Sequence, residues 1–183
     1  MVEFRTFHNC DPPEILKLWH ASELGPSAAE GFPTEILELF VFSQPFFDRK
    51  SFFVAVEADR VVGFSHASFA PNATETALDL NQGIISALVI HPEHRRRGIG
   101  RQLIEQAHVY LKSRGATTVV AGAGLDRNGF YNGVYGGLQA SGYSVTAAPW
   151  SEFFAALGYA VRGSTSILHR DLTTGRDPVS SRL

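Results

Sequence analysis

The chain has 183 residues, 44% of them hydrophobic and 19% charged, and its 16 Lys and Arg against 18 Asp and Glu give a formal net charge of −2 at pH 7. A chain of this length forms one domain that buries roughly 70% of the surface its unfolded form exposes, so its stability requires neither disulfides nor a metal. The near-neutral charge argues against a nucleic-acid partner, which needs a clearly basic face. The one cysteine, Cys10, excludes an internal disulfide.

The N-terminus and the apolar segments bear on the compartment. Residues 1–5 lack the basic and then apolar profile of a signal peptide. The apolar run at residues 36–42 contains Glu38 and is far shorter than the roughly 20 apolar residues that span a bilayer. The sequence therefore predicts a cytoplasmic protein with no membrane-spanning segment.

Hydrophobic periodicity and turn residues predict an alternation of strands and helices. In chain order these are a strand at residues 2–7, a helix capped by Asp11 with Glu14 in a capping box, a helix at 34–44, a hairpin of strands at 52–56 and 61–69, a strand at 83–90 central in its sheet, a helix at 99–114, a strand at 117–120, a short helix from Trp150 and a strand at 164–172. Residues 70–82 are predicted to form a polar loop, 122–148 a Gly- and Tyr-rich insertion, and 173–183 a polar tail. The folded domain is expected to span residues 1–172.

The segment that joins the 83–90 strand to the longest helix carries the clearest chemistry. It reads Arg95-Arg96-Arg97-Gly98-Ile99-Gly100 and opens the helix. Glycines let the backbone approach a ligand closely, and the free N–H groups and positive dipole end of a helix start attract phosphate. A Walker A loop is excluded because no lysine follows a glycine, and a dinucleotide fingerprint is excluded because Leu103 stands where the third glycine belongs.

The same segment resembles the GNAT acetyltransferase superfamily, whose pattern is an apolar strand, a proline and then Gln/Arg-x-x-Gly-x-Gly/Ala opening a helix. Residues 95–100 match that pattern, Pro92 precedes it, and the apolar residues of the 83–90 strand fit the family's strand positions. The order of elements fits across most of residues 1–172. The resemblance implies a single-domain α+β fold, with a mixed and mainly antiparallel sheet flanked by helices.

The resemblance also implies acetyl-CoA as the co-substrate. The strand backbone would pair with the pantetheine arm, and the amides of residues 96–101 would hold the pyrophosphate. The cofactor-binding residues so implied are Leu88, Val89, Ile90, Arg95, Arg96, Arg97, Gly98, Ile99, Gly100, Arg101 and Phe154. His91 and His94 resemble half a metal site, but no third ligand is evident, so no metal is predicted.

The chain departs from the family pattern at the groups that usually move protons. Phe154 stands where members commonly carry the tyrosine that protonates the CoA thiolate, and Ile84 stands near the position of a common glutamate base. The acid and base must reach their protons directly or through one water. The candidates left open are Tyr131, Tyr135, Tyr143, Tyr159, Asp126, Glu152, His66 and His91.

The predicted function is transfer of an acetyl group from acetyl-CoA to the amine of a small molecule or peptide by direct attack in a ternary complex. Cys10 has no evident base partner, so no acyl-enzyme is predicted. The alternative is a catalytically inactive acyl-CoA-binding sensor or partner-binding module. A longer acyl donor, a hydroxyl acceptor and a homodimer are left open, and the 122–148 insertion is interpreted as a lid or an acceptor-recognition loop.

The aromatic stretch before and within the hairpin is interpreted as core, since large apolar side chains are most often buried. Its members are Phe42, Phe46, Phe47, Phe52 and Phe53.

Overall fold

The computed structural model describes residues 1–25, 28–74, 76–122, 129–132, 134–135, 143 and 150–163. The predicted strand at 164–172, the predicted tail, Asp126 and most of the predicted insertion lie outside these residues.

The described strands form one mixed sheet. They are β1 (Glu3–Thr6), β2 (Phe52–Glu57), β3 (Arg60–Pro71), β4 (Leu78–Ile90) and β5 (Thr118–Ala121), in the order β1-β2-β3-β4-β5. The first four pair antiparallel, and β5 runs parallel to β4. The predicted mixed and mainly antiparallel sheet is confirmed, and β4 is an interior strand as predicted.

The described helices cover both faces of the sheet. They are α1 (Pro12–Ala21), α2 (Thr34–Leu37), which continues as a π-helical turn at Glu38–Phe42, α3 (Ile99–Ser113) and α4 (Trp150–Ala155). Short 3-10 turns lie at Arg49–Ser51 and Pro92–His94. Among the described residues, no helix combines the length and the apolar character that crossing a bilayer would need.

The predicted side-chain cap of α1 by Asp11 is wrong. Asp11 lies at the N-cap position but makes no side-chain hydrogen bond to the helix. Its carboxylate accepts from Arg5 Nη1 and Nη2 at 2.8 and 2.7 Å and from the His8 N–H at 2.6 Å. Two charge-assisted bonds are stronger than one N–H cap, so the carboxylate turns toward β1. Burial opposes ionisation, but the Arg5 guanidinium and the His8 N–H hold the pKa of Asp11 below its ordinary value.

The predicted polar loop at 70–82 is also wrong, because the β3–β4 hairpin extends into it. Pro71 pairs with Leu78, and Asn72 Oδ1 accepts from the Thr76 N–H at 3.1 Å to close the turn. Residues 78–82 are only partly buried or exposed. Polar side chains are therefore tolerated there. This part of the strand lacks the alternation of apolar residues by which a strand is predicted from sequence.

A separate hydrophobic cluster fills each face of the sheet. One packs α1, α2 and the π-helical turn around Trp19 and Phe52, and the other packs α3 and α4 around Leu103 and Phe154. Within the aromatic stretch, Phe42, Phe47 and Phe52 pack in the first cluster and Phe53 in the second. Phe46 is 48% exposed, so its predicted burial is wrong.

Candidate active site

Over its second half, strand β4 has one edge that no described strand pairs with, and this stretch is called the open edge of β4. The β3–β4 register shifts between His66 and Ala67, which places a bulge in β4 near Ser86. On the other side, pairing with β5 ends at Ile85 and Ala121, and the Gly122 N–H donates to the Ile85 carbonyl at 3.0 Å. Beyond that point, no described strand pairs with residues 87–90 on this side. Such an edge offers its backbone groups to an extended ligand.

The loop that follows β4 leads directly into the N-terminus of α3. Gly98 is the N-cap of α3 with φ +81°, and Arg96 has φ +62°. The first N–H groups of α3 have no partner within the helix and lie at its positive dipole end. A Cβ at Gly100 would lie 3.4 Å from the Phe153 ring, so glycine here lets α4 pack on the start of α3. The geometry suits a phosphate.

The arginines of this loop divide into two kinds. Arg95 donates from Nε to the Ile90 carbonyl at 3.1 Å and from Nη2 to the Ser22 carbonyl at 2.6 Å, which ties the loop to the end of α1. Arg97 pairs with Glu57 at 2.8 Å, and Glu57 also bonds to His94. These two side chains are already engaged within the protein.

The other two arginines of the loop, Arg96 and Arg101, are exposed and make no hydrogen bond or ion pair with a described residue. Backbone N–H groups, together with these two side chains, are what the described loop offers an anionic ligand.

A pocket lined by tyrosines adjoins the open edge. Its described lining is Trp19, Leu24, Ser86, Ala87, Leu88, Val89, Gly122, Tyr131, Tyr135 and Tyr143. The Trp19 and Tyr131 rings stack with centroids 6.0 Å apart at 11°, and Tyr135 meets Trp19 edge-on at 6.1 Å and 88°. The open strand edge therefore adjoins a small pocket with several aromatic lining residues.

A family model described as "Acetyltransferase (GNAT) family" matches residues 14–133, which is most of the chain. This chain belongs to the GNAT acetyltransferase family. The matched range contains the open β4 edge, the Gly98 loop and Tyr131. No curated protein matches this chain significantly.

Solved structures of other GNAT proteins share the fold. A ribosomal-protein-alanine N-acetyltransferase from Brucella melitensis biovar Abortus 2308 aligns with TM-score 0.60 at 17% identity, over 92% of this chain and 99% of that one. An aminoglycoside acetyltransferase from an uncultured soil metagenomic sample, in complex with sisomicin, gives 0.59 at 15% identity, over 93% and 96%. A Brucella melitensis GNAT family acetyltransferase in complex with acetyl-CoA gives 0.52 at 19% identity, over 68% and 79%. At these identities the likeness concerns the fold.

Behind the pocket of this GNAT domain, His66 and Tyr131 form a buried pair. His66 is fully buried against Phe47, Phe52 and Phe130, and its Nδ1 lies 3.2 Å from Tyr131 Oη. Its Nε2 has no hydrogen-bond partner among the described residues. Burial lowers the pKa of His66 to about 3 and raises the pKa of Tyr131 well above its ordinary value. Both side chains are therefore neutral at physiological pH.

The buried histidine predicts an acid-sensitive fold. Below pH 6.5 the unfolded chain protonates residue 66, whereas the folded chain does so only near pH 3, so stability falls as pH falls. Each pH unit in this window removes about 1.4 kcal/mol from the free energy of unfolding. Urea unfolding from pH 6.5 to about 4.5 should show this slope, and His66→Phe should remove most of it. Burial also lowers the pKa of the half-buried His108, so His108→Gln should flatten the slope less than His66→Phe does, and an unchanged slope in His66→Phe would contradict the assignment.

The remaining candidates lie apart from the pocket. Tyr159 Oη bonds to His108 Nε2 of α3 at 2.5 Å, and burial raises the pKa of Tyr159 to about 12. Phe154 is buried in the α3–α4 cluster against Tyr143 and Tyr159. Glu152 is exposed. Of the predicted acid and base candidates that are described, Tyr131, Tyr135 and Tyr143 meet at the open edge.

Sequence reasoning did not find Trp19 and Leu24, the pocket's other wall. Trp19 looks like an ordinary buried position on an amphipathic helix, and indeed it is only 4% exposed. No local signal distinguishes a ring that fills a core from one whose face also lines a pocket.

Proposed function

We propose that this GNAT protein is an N-acetyltransferase that moves an acetyl group from acetyl-CoA to the amine of a small molecule or peptide. The observation that supports this proposal most is that the open β4 edge leads to the tyrosine pocket at one end and to the Gly98 helix start at the other. A pantetheine arm paired with residues 87–90 puts its pyrophosphate at the N–H groups of the loop and its thioester beside the tyrosines. The unpaired strand backbone thus suits the amides of a pantetheine arm, and the start of α3 with Arg96 and Arg101 suits a pyrophosphate.

The reaction is direct attack within a ternary complex. The lone pair of the neutral amine nitrogen attacks the thioester carbonyl carbon, and a C–N bond forms. The C–S bond then breaks and its electron pair goes to sulfur. The nitrogen gives up one proton, which leaves through water, and the thiolate gains one. Holding amine and thioester together in one site supplies much of the rate acceleration.

Tyr131 is the proposed proton donor to the thiolate. Phe154 has no proton to give, whereas Tyr131 is a lining residue of the pocket and its hydroxyl stays protonated because of its burial. Neutral His66 carries one N–H. A proton on Nε2 would leave a buried donor with no partner among the described residues. A proton on Nδ1 donates to Tyr131 Oη and leaves only an acceptor without such a partner, which costs less. The hydroxyl proton of Tyr131 is then available for donation to the thiolate. His66 orients that hydroxyl and is a positioning residue.

One observation favours a second candidate function. Phe154 stands where family members commonly carry the acid, and the fully buried Ile84 stands near the position of the common base, as expected of a domain that binds acyl-CoA without turning it over. Such a protein would be a sensor or a partner-binding module. It would bind acetyl-CoA and release no CoA in the presence of any amine.

Initial-velocity kinetics separate these functions. CoA thiol release is followed with pooled amines, and the acetylated product is then identified by mass spectrometry. We expect release that depends on an amine and intersecting double-reciprocal lines, as a ternary complex requires. Parallel lines would indicate an acyl-enzyme and contradict direct attack. Saturable acetyl-CoA binding with no amine-dependent release would identify the inactive binder.

A further inference from the structure

Glu57, the last residue of β2, bonds to two residues of the loop between β4 and α3. Its Oε1 accepts from Arg97 Nη2 at 2.8 Å, and its Oε2 accepts from Arg97 Nη1 at 3.2 Å and from His94 Nε2 at 3.0 Å. Two parallel bonds from a guanidinium fix the relative orientation of the two side chains as well as their distance. Glu57 therefore joins the end of β2 to the loop at two points.

The two bonded residues lie on either side of a strained position. Arg96 has φ +62°, a left-handed conformation that residues other than glycine seldom adopt. Such a conformation persists only where the surrounding structure holds it in place. Glu57 supplies one restraint through His94 and Arg97. The Arg95 guanidinium supplies a second restraint from the side of α1.

The sheet, and not the loop, fixes the position of the Glu57 carboxylate. Strands β2 and β3 are joined by a two-residue turn of Ala58 and Asp59, whose φ angles are +49° and +59°. Two positive φ angles in a row are typical of the tight hairpin turn that matches the twist of its strands. The sheet also fixes where the loop begins, because the His91 N–H donates to the Val62 carbonyl at 2.9 Å.

The bond to Glu57 bears on what Arg97 does when acetyl-CoA binds. The Arg97 guanidinium holds the pKa of the Glu57 carboxyl below its ordinary value, so this group is ionised at neutral pH. A pyrophosphate that took Arg97 would compete with this carboxylate, and removal of the carboxylate would then tighten acetyl-CoA binding. If Glu57 and Arg97 together hold the loop, the same removal weakens binding. The two roles of Arg97 therefore predict effects of opposite sign.

Building on the proposed function, we propose that Glu57 is a positioning residue for acetyl-CoA, which holds the loop through His94 and Arg97 so that the start of α3 faces the pyrophosphate. A carboxylate repels a pyrophosphate, so its contribution to binding comes from the geometry of the loop and not from its charge. Loss of the carboxylate removes this repulsion together with the restraint on the loop, and the restraint is the larger effect.

Calorimetric titration of the full chain with acetyl-CoA tests the proposal in Glu57→Gln, where we expect the Kd to rise about tenfold. Asp59→Asn is the matched control. It also removes one carboxylate, two residues away, and Asp59 makes no hydrogen bond or ion pair within the described part of the chain. Its Kd should not rise. An unchanged or lower Kd in Glu57→Gln would overturn the proposal.

A double-variant comparison tests whether Glu57 acts through Arg97. Arg97→Gln should raise the acetyl-CoA Kd by about as much as Glu57→Gln does, and the double variant should raise it little further. This is expected of two residues that act as one unit. Fully additive losses would show that the two side chains act separately and would overturn the proposal.

Two further readouts separate positioning of the loop from a general loss of structure. S-acetylpantetheine lacks the pyrophosphate, so Glu57→Gln should leave its Kd, measured by saturation-transfer NMR, unchanged. Equal losses of affinity for S-acetylpantetheine and acetyl-CoA would overturn the proposal. Hydrogen exchange of the unliganded chain should be faster at residues 94–98 in Glu57→Gln and not in Asp59→Asn. Unchanged exchange in Glu57→Gln would also overturn it.

The same titration distinguishes failure of this inference from failure of the proposed function. Absence of acetyl-CoA binding by the unsubstituted chain would overturn both. Normal binding by the unsubstituted chain and by Glu57→Gln would overturn the role of Glu57 alone and leave the acetyltransferase function standing.

Discussion

Replacing Gly98 by valine is expected to weaken acetyl-CoA binding by about 100-fold while the domain stays folded. Gly98 has φ +81°, a conformation that a β-branched residue rarely adopts, and a Cβ there would meet no atom within 4 Å. The substitution therefore introduces backbone strain without a clash. We expect the loop to relieve the strain by rotating, which would turn its N–H groups away from the pyrophosphate. Calorimetric titration with acetyl-CoA measures the loss.

The chain supplies a matched control at the other end of the same helix. Gly115 has φ +107°, and a Cβ there would also meet nothing within 4 Å. Gly115→Val should lower the free energy of unfolding by a similar amount, about 1–2 kcal/mol, and leave acetyl-CoA affinity unchanged. Urea unfolding of both variants establishes that strain is comparable. Equal losses of affinity in the two variants, or none in Gly98→Val, would show that the loop is not the phosphate site.

Replacing Tyr131 by phenylalanine is expected to lower kcat by about 100-fold or more, with KM for acetyl-CoA little changed. The substitution removes one hydroxyl and keeps the ring stacked on Trp19. His66→Phe should lower kcat to a smaller extent, because the hydroxyl remains but is no longer oriented. Tyr159→Phe is the control, since its hydroxyl bonds to His108 outside the pocket. An unchanged kcat in Tyr131→Phe would show that the Tyr131 hydroxyl takes no part in the reaction.

The pH profile gives a second readout of the same pair. Because burial raises the pKa of Tyr131 well above its ordinary value, the donor stays protonated at neutral and mildly alkaline pH. We expect kcat/KM to rise with pH as the amine deprotonates, with no loss between about pH 7 and 9. Nitrogen-15 NMR of His66 should show the proton on Nδ1. A proton on Nε2 would contradict the proposed orientation of Tyr131.

The parts of the site that depend on backbone conformation could be predicted from the sequence. Gly98 and Gly100 opening a helix indicate a close-approach turn, and the apolar 83–90 run indicates an interior strand. The function of these segments resides in N–H and C=O groups that every residue carries. The local spacing of residues was therefore enough to predict the loop and the strand and to identify the family resemblance.

The parts that depend on side-chain contacts between distant segments could not be predicted. His66 and Tyr131 are 65 residues apart, and nothing near either one indicates that they meet. The three consecutive arginines looked alike in the sequence, yet Arg95 contacts the end of α1 and Arg97 contacts Glu57. Only the folded sheet and helices decide which of these charges have partners and which face the solvent.

The central claim is that the open β4 edge and the Gly98 loop together bind acetyl-CoA. Isothermal titration of the full chain with acetyl-CoA tests it most directly, because it requires no knowledge of the acceptor. The account predicts saturable one-to-one binding. Absence of binding to acetyl-CoA by a folded protein would contradict it.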